Sequence, residues 1–569
     1  MSSDAEKLPL VRDTPPRRSR KATFAMLAVP SFALFSFVCL QISATYSPAE
    51  VSNCPQAEPY VPKSGKLDQN RDKIYSPEYR KASAEILSGF VQVQSPSFDD
   101  LGKIGGDNAD KRWDAFYGVS DYLNQTFPRV YETLSLEKVN THGIVLTWEG
   151  SDATLKPTLF AGHVDVVPVD PSTLDQWTHP PWKGFYDGEY LWGRGSVDDK
   201  HAVSAILEAV TLLIEKDFVP KRTLTIALGF DEESKGRNGA GHIQTYLEAK
   251  YGRDGVAVIV DEGGLGIGEQ FGMQAAIPAV GEKGYVDIKF TLTTPGGHSS
   301  IPPDHTSIGI ISQLVTSLEA NPFKPLLPLD SPVFSLLTCA AEHGQLPASL
   351  KRDVKHGATS DKKGSKAREA AANEVAKLGR GPRYLVSTSQ AIDIIRAGVK
   401  VNALPESVEL VANYRVAIGS EIQDVKDHIS ALVDPVARRF DLSTDVFGVA
   451  STVSAEHVGG HLNVVSINEL PPAPVSPTTD STAWDVLAGT ILHTLDRSNN
   501  LVVAPGIMSG NTDTRYYWNL TRNIFRFTPI DRLKSINLHT VDERLFFDDH
   551  IDAVWFFHEL ARSYDEVEL

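Results

Sequence analysis

Cysteine is scarce in this sequence, which has only Cys39, Cys54 and Cys339 among its 569 residues. Three cysteines cannot provide the disulfide framework of a small secreted domain, and at these spacings they cannot form a CxxC pair or a four-cysteine metal site. We therefore expect no disulfide framework to hold the fold. Any bound metal ion must be held by histidine, aspartate and glutamate.

Positive charge is also in short supply. The chain has 55 lysines and arginines against 72 aspartates and glutamates, which gives a formal net charge of −17. Proteins that bind nucleic acid carry an excess of basic residues, so we expect no nucleic acid partner. The hydrophobic share of 41% is typical of a globular protein. The length exceeds what one hydrophobic core supports, which predicts two or three domains.

A long uncharged run follows four cations that lie between residues 17 and 21. Its apolar part is long enough to cross a bilayer core of about 30 Å, and the preceding cations favour a cytosolic N-terminus. We predict a cytosolic tail at residues 1–21, a transmembrane signal anchor at residues 22–45 and a stalk at residues 46–75. The alternative is a signal peptide that is cleaved near Ser43.

Two glycosylation sequons agree with a body that faces a lumen. They begin at Asn124 and Asn519, each followed two residues later by threonine. We therefore predict a single-pass type II membrane protein that carries glycans at these two asparagines.

The body of the chain has an α/β pattern. Residues 155–161, 223–230 and 256–260 form strand-like apolar runs, and the apolar residues of 200–216 recur at helical spacing. A strand, a helix and another strand in this order predict a mostly parallel sheet flanked by helices. This larger domain would comprise residues 76–283 and 468–569.

A smaller α+β domain is predicted at residues 284–467, inserted into the larger one. Residues 285–293 alternate between apolar and polar side chains, as a half-exposed strand does, and helical patterns follow at 307–318 and 421–433. Within this domain, residues 342–380 are rich in lysine and alanine. We predict that they form a solvent-facing helical excursion that carries no chemistry.

Histidine and carboxylate residues follow the three predicted strands of the larger domain. His163 and Asp165 follow the first strand, residues 231–233 the second and residues 261–262 the third, while Asp198 lies in a glycine-rich loop before the helix. Any one of these acids alone is more often a helix cap or a solvated charge. Together they should converge, because the carboxyl ends of parallel strands share one edge of a sheet. Cations would relieve the mutual repulsion of so many carboxylates, which predicts a two-metal site.

Six segments carry a resemblance to a known family. In chain order they are GHVDVVP (162–168), LWGRGSVDDK (191–200), FDEESKGRNGA (230–240), VDEGG (260–264), TPGGHSSIPP (294–303) and IMSGNTDTRYY (507–517). Together they resemble the M20 family of metallopeptidases. Within that family, the segment TSQAIDIIRAGVKVNALPE (388–406) and the membrane-proximal N-terminus resemble the carboxypeptidase S branch, the Gly-Xaa carboxypeptidases of fungal vacuoles.

The resemblance implies a zinc-peptidase-like fold and a metal centre with two Zn²⁺ per subunit, for which Co²⁺ or Mn²⁺ could substitute. His163 and Asp261 would bind one ion, Glu233 and His539 the other, and Asp198 would bridge both. The resemblance also implies that the smaller domain acts as a lid and allows a homodimer through it.

Two further residues would act in catalysis. The resemblance implies that Glu232 is the general acid and base, and that Asp165 hydrogen-bonds the far nitrogen of the ligand His163. It also implies a cis peptide bond between Asp198 and Asp199.

Substrate recognition requires a cation for a free C-terminal carboxylate, and arginine can bind a carboxylate through two hydrogen bonds. Arg415 is the candidate, with Asn402 and the backbone around Gly510 assisting. By analogy with the family, His298 would reach the reacting carbonyl oxygen, in dimeric relatives from the neighbouring subunit. An ordinary turn histidine is the other interpretation of His298.

These inferences predict a membrane-anchored, lumenal, vacuolar zinc carboxypeptidase that acts on short peptides of the Gly-Xaa type. One alternative is an aminoacylase or N-fatty-acyl amino acid hydrolase/synthase with the same metal centre. A second is a non-catalytic, metal-stabilised ectodomain. Glu232 argues against the second alternative, because a binding scaffold has no need for an uncommitted base beside its metal ligands.

Overall fold

The computed structural model describes residues 52–63, 65–451 and 459–569. The predicted cytosolic tail and transmembrane anchor, residues 1–45, lie outside the described residues. Across the three described ranges, no helix is both long and apolar enough to cross a bilayer.

Helices and strands alternate along most of the described chain. The α-helices are α1 Gln69–Ile74, α2 Pro77–Gln92, α3 Ala115–Thr126, α4 Pro128–Thr133, α5 Lys200–Glu215, α6 Ala240–Tyr251, α7 Ser307–Ala320, α8 Pro332–His343, α9 Ala348–Gly357, α10 Lys362–Val375, α11 Arg380–Leu385, α12 Ile422–Arg439, α13 Thr482–Leu495 and α14 Phe547–Glu566.

The strands are β1 Ser135–Val139, β2 Gly143–Trp148, β3 Thr158–His163, β4 Phe185–Tyr186, β5 Tyr190–Trp192, β6 Leu224–Gly229, β7 Val258–Asp261, β8 Ile267–Gln270, β9 Met273–Ala276, β10 Ala279–Glu282, β11 Gly284–Thr293, β12 Gly297–His298, β13 Ser389–Ala397, β14 Ala403–Leu404, β15 Ser407–Val416, β16 Leu442–Val446, β17 Val449–Ser451, β18 Gly460–Leu470, β19 Val502–Val503, β20 Gly506–Met508, β21 Ile524–Arg526 and β22 Arg544–Phe546.

The larger domain contains an eight-stranded sheet with the strand order β1-β2-β6-β3-β7-β21-β10-β20. Its centre is parallel, from β6 through β3 and β7 to β21. β1, β2 and β10 each form antiparallel pairs. β10 also pairs with β20 in parallel at the edge of the sheet. The sheet is therefore mixed, with four parallel and three antiparallel pairs. Residues 140–142 join β1 to β2 and are too few for the crossover that a parallel pair needs.

The three predicted strands and the predicted helix of the larger domain are present as β3, β6, β7 and α5. All six residues of β3 and all six of β6 are buried. Helix α5 packs against the sheet and presents Val203, Ile206 and Val210 to the core. Burial on both faces fixes these strands, so their carboxyl ends provide a rigid edge on which a site can be built.

The smaller domain has a six-stranded sheet with the order β13-β15-β11-β18-β16-β17. Along β11 the side chains of Val286, Ile288, Phe290 and Leu292 are buried and alternate with more exposed ones. Helices α7 and α12 cover the buried face. This alternation is that of a half-exposed strand with one covered face, as the sequence pattern predicts. The strand pairs of this sheet are antiparallel except β16 with β18.

The prediction for residues 342–380 is wrong in one respect. This segment contains the whole of α9 and α10, which pack on each other, with α9 also packing on α8, rather than projecting into solvent. Leu350, Val354, Ala371 and Val375 are buried there with Phe334. The alanines of α10 allow close helix contact, and one face of each helix remains charged. The segment therefore forms two helices that pack against the body of the protein beside α8.

The segment before α2 also packs on the body, although the sequence predicts a stalk there. Cys54 forms a disulfide with Cys339 of α8, and the backbone N–H of Asn53 donates to Glu342. Ile74 is buried. The sequence gives too few cysteines for a disulfide framework, yet two cysteines 285 residues apart can pair once the fold brings them together. This single bridge is not a disulfide framework, and the sequence analysis did not predict it.

Candidate metal centre

The carboxyl ends of β6, β3 and β7 lie side by side, because these strands are neighbours in the parallel part of the sheet. His163 is the last residue of β3 and Asp261 the last of β7. A 3-10 helix, Glu232–Ser234, begins three residues after β6 ends. Asp198 comes two residues before α5, and its peptide bond to Asp199 is cis, as the resemblance implies.

Three residues predicted as metal ligands surround Asp198. One carboxylate oxygen of Asp198 lies 3.0 Å from Nε2 of His163, and the other lies 3.1 Å from Nε2 of His539. Nε2 of His539 is also 3.2 Å from Oε1 of Glu233. Hydrogen bonds to Asp198 and Glu233 raise the pKa of His539 to about 10. The carboxylates of Asp198 and Glu233 therefore stabilise a positive charge between them.

The donor atoms fit divalent metal ions. Ligand atoms of His163, Asp198 and Glu233 lie within 4.8 Å of one another. Oδ2 of Asp261 is buried without a hydrogen-bond partner among the described residues. An orphaned buried carboxylate oxygen is costly unless a cation or another donor contacts it. Nitrogen and oxygen donors of this kind suit zinc.

A second carboxylate, Glu262, stands beside Asp261 at the end of β7. Oδ1 of Asp261 accepts a hydrogen bond from the backbone N–H of Glu262. Burial and the nearby charges of Asp198 and Asp199 raise the pKa of Glu262 well above its usual range. The sequence analysis includes Glu262 among the carboxylates at the strand ends but assigns it no role of its own.

Asp165 contacts both His163 and the turn that carries Glu232 and Glu233. Nδ1 of His163 lies 3.0 Å from the main-chain oxygen of Asp165 and 3.3 Å from its Oδ1. The carboxylate of Asp165 accepts hydrogen bonds from the backbone N–H groups of Glu232 and Glu233, each at 3.1 Å, and from the Ser97 hydroxyl at 2.6 Å. The hydrogen bond of His163 Nδ1 is therefore to the main chain of Asp165, with the carboxylate at contact distance, and the carboxylate also positions the Glu232–Glu233 turn.

Glu232 contacts Arg515, which the sequence analysis does not name as a site residue. Its Oε1 lies 3.2 Å from Nη2 of Arg515. Burial is the main cause that raises the pKa of Glu232 to about 8, and the charge of Glu233 adds to it. Arg515 lies within the segment 507–517 that carries the family resemblance, and this was the signal available.

The loop of Asp198 is held by a residue from the same segment as His539. Oε1 of Glu543 accepts the backbone N–H groups of Gly195, Val197 and Asp198 at 3.1, 2.9 and 3.3 Å. Oε2 of Glu543 forms an ion pair with Arg194 at 2.6 Å. Both side chains are buried. Glu543 thus joins the loop that carries one proposed ligand to the loop that carries another.

The residues predicted to bind substrate fall into two groups. Arg415 and Gly510 line the same cavity, and Nη1 of Arg415 donates to Asn511 at 3.0 Å. His298 and Asn402 are exposed in the smaller domain, where the pairing of β12 with β14 brings their backbones together. In the described residues no hydrogen bond or ion pair joins either of them to the predicted metal ligands.

Both predicted glycosylation sites are accessible. Asn124 lies in α3 and Asn519 at the end of a 3-10 helix, and both side chains are exposed.

Comparison with known proteins places these features in a family. The family model described as peptidase family M20/M25/M40 matches residues 159–563. Carboxypeptidase S of Saccharomyces cerevisiae is 38% identical over 524 residues, which cover 90% of this chain and 89% of that protein. An uncharacterized carboxypeptidase of Schizosaccharomyces pombe is 38% identical over 513 residues, or 89% of this chain and 83% of that protein.

A solved structure shows the same fold at low sequence identity. Human carnosine dipeptidase 1 superposes with a TM-score of 0.59 at 14% identity and covers 89% of this chain and 100% of its own. With the matched segment, the fold and the cluster around Asp198 in agreement, the chain belongs to the peptidase family M20/M25/M40.

Proposed function

We propose that this protein is a zinc-dependent carboxypeptidase that releases the C-terminal residue of short peptides of the Gly-Xaa type. The observation that carries the proposal is the position of Asp198, with one carboxylate oxygen directed at His163 and the other at His539. A bridging ligand between two metal ions needs this arrangement. Similarity to Carboxypeptidase S and to a second fungal carboxypeptidase supports the peptidase activity.

In this proposal His163 and Asp261 would hold one zinc ion, Glu233 and His539 would hold the other, and Asp198 would serve both sites. When bound, the two ions would supply Lewis-acid chemistry, which lowers the pKa of a water molecule and stabilises negative charge on the amide oxygen. Cobalt or manganese could replace zinc, because the donors are nitrogen and oxygen.

Glu232 is the proposed general base and acid. Among the described residues, the carboxylate of Glu232 forms one ion pair with a side chain, that of Arg515. It is therefore not committed to either histidine. It can take a proton from water and return it to the departing amine. Its pKa of about 8 supports this role, since a proton acceptor works best when its pKa is near the working pH.

Arg415 is proposed to bind the C-terminal carboxylate of the substrate. Burial lowers the pKa of its guanidinium, yet arginine stays charged under all ordinary conditions. Recognition of a free carboxylate next to the scissile bond would restrict the enzyme to the last peptide bond. Gly510 lines the cavity beside Arg415.

Removal of metal tests the proposal directly. Chelation followed by dialysis should reduce hydrolysis of benzyloxycarbonyl-Gly-Leu to background, and added zinc should restore it, because activation of water depends on the metal. Activity and zinc content are measured on the same samples. Turnover in a verified metal-free preparation would contradict the mechanism. Hydrolysis of N-acyl amino acids but not of the dipeptide would favour the aminoacylase alternative.

The ligand from β7 has its own test. Asp261→Asn is expected to lower the zinc content from about two ions per chain to about one, because it weakens one donor of the first site. Glu262→Gln is the matched control and should keep about two. Metal content is determined by mass spectrometry after gel filtration. The reverse result would assign the ligand role to Glu262.

We also propose a vacuolar, lumenal location, an anchor at residues 22–45, and glycans at Asn124 and Asn519. The disulfide between Cys54 and Cys339 supports a lumenal location, since such bridges persist in oxidising compartments.

A homodimer through the smaller domain is proposed as well, with His298 reaching the partner's site. Strand β13 is an edge of its sheet, and Ile395 on it is 55% exposed. Val401 in the following loop is 99% exposed. An exposed apolar edge of this kind is a favourable surface for pairing with a second copy.

A further inference from the structure

Positive charge is concentrated in one stretch of this acidic chain. Residues 344–385 contain ten lysines and arginines against four aspartates and glutamates, whereas the whole chain has a net charge of −17. Four lysines with exposed side chains lie near the end of α9 or the start of α10: Lys355, Lys362, Lys363 and Lys366. We refer to these four as the basic surface. None of them forms an ion pair in the part of the chain that the structure describes, whereas Arg352 pairs with Asp353.

The lysines of the basic surface lie at one end of the helix pair formed by α9 and α10. Residues 358–361 connect the two helices, and a connection this short makes them antiparallel neighbours. Nη1 of Arg368 donates to the main-chain oxygens of Gly357 and Thr359 at 2.6 and 2.8 Å. These bonds hold the second turn of α10 beside the end of α9. Lys355 therefore lies near the three lysines of α10.

This placement of lysines is unfavourable for α10 itself. The N-terminal end of a helix carries partial positive charge, so cations there lower the stability of the helix and acidic residues raise it. Lys362, Lys363 and Lys366 are the first, second and fifth residues of α10. Asp361 offsets part of the repulsion, because its carboxylate accepts a hydrogen bond from the backbone N–H of Gly364 at 2.8 Å. Folding alone does not explain three lysines here, whereas an anionic partner outside the chain does.

The first described residues are attached to the neighbouring helix α8. Ser52 and Asn53 donate hydrogen bonds to the carboxylate of Glu342 at 2.7 and 2.6 Å, and Cys54 is bonded to Cys339. Glu342 and Cys339 both belong to α8, which packs on α9. Helix α9 has ten residues and is therefore about 15 Å long. The basic surface, at the far end of α9, is thus about one short helix away from this attachment.

The predicted membrane anchor brings a lipid surface within reach of these helices. The anchor ends at residue 45, and the seven peptide units from there to Ser52 span at most about 25 Å. The attraction of a charged membrane for basic residues falls off within a Debye length of about 10 Å. A connection this short keeps the region around α8 close enough to the bilayer for α9 and α10 to reach that range.

We propose that the basic surface docks on the anionic lipid headgroups of the membrane that holds the anchor. The proposal rests on the anchor that is part of the proposed function, and it involves no residue of the metal centre. Anionic headgroups present many negative charges in one plane, which suits four exposed ammonium groups that have no ion-pair partner in the described chain. A membrane of neutral lipid offers no such attraction.

Acetylation of lysines in the full chain tests this docking. The protein is reconstituted in lipid nanodiscs of phosphatidylcholine alone, or with about a third of phosphatidylserine, and the acetylation rate of each lysine is measured by mass spectrometry. We expect the basic surface to react about 5-fold or more slowly on the anionic discs. High salt should remove the difference, because it screens the attraction. Lys156, which is exposed in the larger domain, is the control and should react equally on both discs.

A triple variant, Lys362→Glu with Lys363→Glu and Lys366→Glu, tests the role of charge. Glutamate at the start of α10 favours the helix, so the variant should fold. It should abolish the protection of Lys355 on anionic discs and should hydrolyse benzyloxycarbonyl-Gly-Leu as fast as the unaltered protein. Lys156→Glu is the matched control, which removes an exposed lysine elsewhere and should leave the protection of Lys355 intact.

Two results would overturn the proposal. Equal acetylation of the basic surface on neutral and anionic discs would show that lipid charge does not attract it. Protection in detergent that increases with protein concentration would assign the basic surface to contact with a second copy of the chain. Retention of the chain in phosphatidylcholine discs during gel filtration at high salt tests the anchor separately. Loss of the chain from those discs would reject the anchor, while acetylation on the anionic discs would still report on the basic surface.

Discussion

Replacing Glu232 by glutamine is expected to lower kcat by about 10²- to 10⁴-fold, the range found when a general acid–base group is removed. Glutamine has nearly the same shape as glutamate but cannot accept the proton of the attacking water. The ion pair with Arg515 would be lost, while the contacts among His163, Asp198 and His539 do not involve Glu232. Both metal ions should therefore stay bound. The measurement combines kcat on benzyloxycarbonyl-Gly-Leu with zinc content.

Glu233→Gln is the natural comparison, because Glu233 adjoins Glu232 in the chain but lies 3.2 Å from His539. This variant should lose metal as well as activity, since the weakened donor belongs to a proposed ligand. The two neighbouring substitutions thus separate proton transfer from metal binding. Unchanged turnover in Glu232→Gln with metal still bound would show that another group takes the proton.

Glu543→Ala is expected to lower the free energy of unfolding by about 3 to 5 kcal/mol, the usual cost of removing one partner of a buried ion pair. The substitution leaves the Arg194 guanidinium buried without its carboxylate and removes the acceptor of three backbone N–H groups. The free energy is measured by urea denaturation of the zinc-loaded protein.

Metal affinity should fall together with stability, because one of those N–H groups belongs to Asp198. Glu543→Gln keeps an acceptor for the loop and should recover part of both losses. The control is Glu409→Ala, which breaks an ion pair with Arg396, a side chain that is 69% exposed, and should cost about 1 kcal/mol or less. A Glu543→Ala protein with unaltered zinc affinity would show that Glu543 does not position Asp198.

The sequence predicts the elements that carry the site because their signals are local. The runs that became β3, β6 and β7 are mainly apolar, and that of β7 is continuously so until Asp261, as in strands buried on both faces. The spacing of apolar residues in α5 is that of a helix with one buried face. Parallel neighbours then place His163 and Asp261 at one edge of the sheet, a consequence of topology that can be stated before any coordinates are known.

No local sequence pattern predicts the contacts between segments that are far apart in the chain. Cys54 and Cys339 lie 285 residues apart, and their pairing depends on α8 being packed where the N-terminal segment passes. The same is true of Arg515, which meets Glu232 across 283 residues. The charged surface of α9 and α10 suggests full exposure, because the buried alanines and valines on their other face make only a weak pattern.

The sequence by itself determined the chemistry available to this protein: a deficit of cysteine and of positive charge, and histidines and carboxylates placed where parallel strands end. Only the tertiary structure decided which of these groups meet. His539 comes from a loop near the C-terminus and lies 3.1 Å from Asp198 because Glu543, four residues further along, holds the Asp198 loop from inside the core. Long-range packing of this kind is specified by the whole fold, and no local pattern records it.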